Sequence, residues 1–141
     1  MKKKSVPCAI DKQGNPVLKE LLNPFFEVIS PAFSAKAEEI VLKRRISYGE
    51  PEVSANYRKA ATMVPLKTAD FHSAVVFIRI RILSGMDIES RQTQRGSLDV
   101  RWETNVLSVQ VELDSAVEHE VLTLRPNWEE LNQTNNRCNT Q

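Results

Sequence analysis

The apolar positions of this chain change their period along its length, from helical spacing in the first third to strand-like alternation in the second half. Val17, Leu18, Leu21 and Leu22 recur at helical spacing after Asn15-Pro16, which sets a side-chain acceptor at an N-cap and a fixed φ at the first helical position. Asn23-Pro24 restarts the pattern as a short turn anchored by Phe25, Phe26, Val28 and Ile29. Ser30-Pro31 opens a third segment, whose stripe of Phe33, Ala37, Ile40 and Val41 predicts a helix from Pro31 to about Ile46. Lys43, Arg44 and Arg45 would then complement the carbonyls of its last turn, with Gly49 and Pro51 ending it. Residues 39–48 also fit a strand, and the pattern does not choose between the two.

Residues 55–63 suggest a further short helix. From Ala74 the pattern turns to β. Val75–Leu83 is rich in branched and aromatic residues and predicts a strand, with Ile78, Ile80 and Ile82 on one face and Phe77, Arg79 and Arg81 on the other. Leu98, Val100 and Trp102 alternate with Asp99, Arg101 and Glu103, and then the parity flips to Leu107, Val109, Val111 and Leu113. A strand cannot change face without a turn or bulge, so one belongs at residues 103–105. Asp114-Ser115 marks another turn, and Val117 to Leu124 supplies a last strand. The expected fold class is α+β: short N-terminal helices packed on a C-terminal antiparallel β-meander of about four strands. One globular domain over residues 15–131 is expected between a flexible basic arm, 1–14, and a flexible polar tail, 132–141.

Composition alters this picture little. A chain of 141 residues with 41% hydrophobic and 26% charged residues is an ordinary single domain. Its four glycines argue against a glycine-rich phosphate loop. Charge adds more. The net value of +1 implies no global field, but residues 1–101 hold 17 Lys/Arg against 11 Asp/Glu, whereas residues 102–141 hold 2 against 7. That asymmetry fits a polyanion-binding face, head-to-tail self-association, or two halves that neutralise each other within one fold.

Cys8 and Cys138 form no CxxC pair and have no histidine at zinc-ligand spacing, so reduced thiols and a cytoplasmic location are expected. Lys2 to Lys4 are followed by too short an apolar stretch for a signal peptide, and no run approaches the ~18 apolar residues of a membrane span. No nucleophile elbow, dinucleotide fingerprint, phosphate loop or HExxH motif occurs, and no cofactor or metal is implied.

The candidate chemistry is basic. Phe77, Arg79 and Arg81 on one strand face would offer a stacking surface and phosphate contacts, extended by Arg91 and Arg95 in the following loop. Lys43, Arg44, Arg45, Arg58 and Lys59, interleaved with Tyr48 and Tyr57, would make a second basic group. Cross-strand pairing of Arg79 and Arg81 with Asp99, Glu103 or Glu112 is the simpler alternative for the first group, and a solvated helix end plus a turn for the second. The function expected is a non-enzymatic binding or assembly module, homo-oligomeric, contacting RNA or another polyanion, a plain make-up shared by small accessory proteins of viruses and mobile elements. Two rivals stand beside it. One is an adaptor that self-associates through its basic and acidic halves. The other is a small-molecule binder or minor enzyme with a sheet pocket containing His72, Arg101 or His119.

Overall fold

The computed structural model describes residues 7–11, 13, 15, 19–45, 52–67, 73–87, 92–115 and 118–129, with the side chains of 19–23, 52, 73 and 74 left aside. The elements run β1 (Cys8–Ile10), α1 (Lys19–Ser34), β2 (Glu39–Arg45), β3 (Glu52–Lys59), β4 (Thr62–Leu66), α2 (Ser73–Leu83), β5 (Gln94–Trp102), β6 (Asn105–Ser115) and β7 (His119–Pro126). All seven strands join one antiparallel sheet in the order β1-β5-β6-β7-β2-β3-β4. The expected four-strand meander under several N-terminal helices is therefore overturned. A seven-stranded sheet carries only two helices, and four of its strands come from the first half of the chain.

Three local features produce the difference. First, α1 runs through both Pro24 and Pro31 instead of breaking into short helices. Each internal proline costs about 3 kcal/mol. Against that, Phe25, Phe26, Val28, Ile29, Ala32 and Phe33 are all buried, each large side chain contributing ~1.5–3 kcal/mol. The same helix touches both β1 and β4, the two outermost strands, so the sheet curls around it.

Second, the helix ends at Ser34 and not near residue 46. Lys36 adopts φ 53°, its N–H donates to the Phe33 carbonyl, and the Ala37 N–H donates to the Ala32 carbonyl. This is a Schellman cap with lysine where glycine is usual, and Ala32 and Ala37 at its two ends are both buried. The chain leaves it extended, and Glu39–Arg45 becomes the strand that the alternative reading allowed. Residues 55–63 likewise belong to the β3–β4 hairpin and not to a helix.

Third, Val75–Leu83 is helical. Val76, Phe77, Ile80 and Arg81 are buried together at helical spacing, and Gly85 (φ 79°) caps the end in a second Schellman motif with the Met86 N–H on the Arg81 carbonyl. β-Branched composition predicted the wrong state because the burial stripe outweighs intrinsic preference. The end of α2 then lies close over β5, where a Cβ at Gly96 would collide with the Ser84 carbonyl oxygen.

Beyond α2, strands β5 and β6 follow the sequence pattern. Leu98, Val100 and Trp102 of β5 and Leu107, Val109, Val111 and Leu113 of β6 all face the core, and the turn at Glu103-Thr104 resets the parity between them. Cys8–Ile10, inside the stretch read as an arm, pairs with Arg101 to Asp99 of β5. The tail 132–141 lies outside the described residues.

Candidate functional site

With both helices on the inner face, alternation sends Lys43 and Arg45 of β2, Ser54 and Arg58 of β3, Arg125 of β7, Glu112 of β6 and Arg95 of β5 to the other side. Much of that outer charge is internally satisfied. Arg58 pairs with Glu38 and Glu39 at 3.5 and 3.3 Å, and Arg125 bridges Glu39 and Glu112 at 3.4 and 3.2 Å. Arg95, though highly exposed, stands 3.8 Å from Glu112. One ladder of ion pairs thus crosses five strands. Such exposed pairs add little stability, but they cancel the field that a polyanion would sense.

The arginines expected to share a face are dispersed. On a helix, Phe77 and Arg81 point inward and Arg79 points the other way, so no stacking platform forms. Arg81 is buried, with its Nη1 3.7 Å from Glu120 and its Nη2 donating to the Asp87 carbonyl at 3.1 Å. Arg44 shares the inward parity of Ile40 and Leu42 and donates to the same Glu120 at 2.8 Å. Lys59 donates to the Lys36 carbonyl at the hairpin end. Arg91, Tyr48 and His72 lie outside the described residues. Tyr57 faces inward, at half burial, and Arg101 stands exposed on β5.

What remains is a compact group at one end of the outer face. Lys43, Arg45, Val53, Ser54 and His119 line a recess of about 320 Å³. The pairing of β2 with both neighbours assembles it: Lys43 is opposite Ser54, and Arg45 is opposite His119 on β7 and Glu52 on β3. The side chains of Lys43, Arg45, Ser54 and His119 make no hydrogen bond or ion pair with any residue whose side chain is described, a set that does not include Glu52. Two cations and two further hydrogen-bonding groups, a hydroxyl and an imidazole, therefore line one recess. Sequence reasoning found Lys43 and Arg45 but not Ser54, and it weighed His119 only as a metal or pocket residue. No signal in the chain could have joined them, because the β2–β7 contact links residues about 75 positions apart.

No group of three or more potential metal ligands occurs among the described residues. No described helix is long and apolar enough to cross a membrane. No protein-family model matches the chain, and neither does any curated protein.

Proposed function

We propose that this chain is a non-enzymatic binding module whose recess at Lys43, Arg45, Ser54 and His119 contacts the phosphate backbone of a single-stranded nucleic acid. The observation that carries the reading is that Lys43 and Arg45 line one recess and, unlike Arg58 and Arg125, have no ion-pair partner among the described side chains. Two positions along a strand lie ~7 Å apart, a separation suited to successive phosphates of an extended strand. Ser54 and His119 sit beside the two cations as further hydrogen-bonding groups. No phenylalanine, tyrosine or tryptophan among the described residues lines the recess, so contact mainly through phosphates and little preference for base sequence are expected.

The test is binding of a labelled single-stranded RNA across a salt series. With two phosphates neutralised, log affinity should fall against log salt with a slope of about −1.4. Lys43→Gln and Arg45→Gln should each flatten that slope by about 0.7. Slopes unaltered in both variants would refute the site.

A further inference from the structure

Helix α2 is apolar on both sides. Val76, Phe77 and Ile80 are buried in the core, yet Val75, Ile78 and Ile82 are 37%, 43% and 50% exposed on the other side. Their spacing of three and four residues places them in a single stripe. Arg79 stands within it, one helical turn from both Val75 and Ile82, and makes no ion pair with a described residue. A helix apolar all round normally belongs in an interior.

Elsewhere the chain presents the opposite shape. A groove of about 390 Å³ runs between α1 and the β3–β4 hairpin, lined by Val28, Pro31, Tyr57, Val64 and Leu66. Its charged members are Glu27 and Lys67. Glu27 is exposed and, like Arg79, makes no ion pair with a described residue.

We infer that copies of this chain associate head to tail, with the exposed stripe of α2 on one copy seated in the α1/β3–β4 groove of the next and Arg79 meeting Glu27. Charge decides this occupant over the symmetric alternative. Packing α2 against α2 across a two-fold axis would set Arg79 beside its own copy in a desolvated contact, whereas the groove supplies a carboxylate. Three exposed side chains fall well short of the ~800 Å² per partner of a stable complex, so the association is weak and depends on concentration. Because ridge and groove are different surfaces, the contact is heterologous and leaves a free ridge and a free groove at the two ends of each chain of copies. This assembly is independent of the anion recess, which lies on the outer face of the sheet.

Sedimentation velocity of the full chain over a concentration series tests it. The weight-average mass of the wild type should rise with concentration, and Ile82→Asp and Val64→Glu should each stay monomeric. An equimolar mixture of those two variants should form dimers and nothing larger, since it retains one intact ridge and one intact groove. In case Val64→Glu disturbs folding, the charged pair provides a second arm. Glu27→Arg and Arg79→Glu should each weaken association about tenfold, and the double exchange should restore it. A wild type that remains monomeric throughout overturns the proposal. So does a Glu27→Arg variant that associates like the wild type, the result expected of a symmetric α2 contact.

Discussion

Glu120 holds two guanidinium groups at once, Arg44 across the β2–β7 pair and Arg81 reaching down from α2, at a place where all three side chains are about nine-tenths buried. Removing the carboxylate would leave two cations facing each other away from water. Glu120→Ala should therefore destabilise the fold by about 3–5 kcal/mol, read from urea midpoints, and Glu120→Gln by less because it keeps an acceptor. A loss below about 1 kcal/mol, the range of a surface pair, would mean that water reaches the cluster. At this scale the sequence was partly legible. Lys43 and Arg45 were identifiable as a basic pair, but Arg44 between them is an inward residue bonded to Glu120, and parity alone separates the roles. Phe77, Arg79 and Arg81 failed as a set because they were placed on a two-residue period in a segment that winds at 3.6.

Among the elements, the β3–β4 hairpin carries visible strain. Ala60 and Ala61 form its two-residue loop with φ of 51° and 65°, the left-handed conformation that alanine adopts poorly. Ala60→Asn with Ala61→Gly should raise stability by about 1–2 kcal/mol through relief of that strain, measurable as a higher thermal midpoint. An unchanged midpoint would show that the loop relaxes in solution. Pro65 in β4, an outermost strand, lacks a backbone donor, which guards that edge against pairing with another chain and turns attention to the groove behind it. The hairpin escaped sequence reading because a favoured Asn-Gly or Asp-Gly turn is absent. The helix ends show the same effect from both sides: Lys36 caps α1 without the expected glycine, while Gly85 caps an α2 that its β-branched residues disguise.

For the molecule as a whole, α1 is the element that reaches both outermost strands of the open sheet. Phe33 packs against Trp102 at the end of β5 and Trp128 beyond β7, with ring centroids 5.7 and 5.8 Å away, and the Trp128 indole donates to the Ala37 carbonyl at 2.7 Å. Early and late parts of the chain thus share one core, and unfolding should be a single transition, with tryptophan fluorescence and far-ultraviolet circular dichroism coinciding. Phe33→Ala should shift both together by about 3–5 kcal/mol; separation of the two signals would show that the C-terminal strands hold together without α1. The β5–β6–β7 meander was readable from sequence because strict alternation on adjacent strands is a local property, and its inward set is the one predicted from β5 and β6. By itself, then, the chain determined which faces of β5 and β6 are apolar, that helix and antiparallel sheet are combined, and that Lys43 and Arg45 are basic neighbours. Only the tertiary structure decided that 75–83 is a helix, that β2 lies beside β7, and hence which cations face solvent and which are held by carboxylates. Those outcomes depend on contacts between distant residues, whose free energy exceeds local preference and leaves no periodic trace in the sequence.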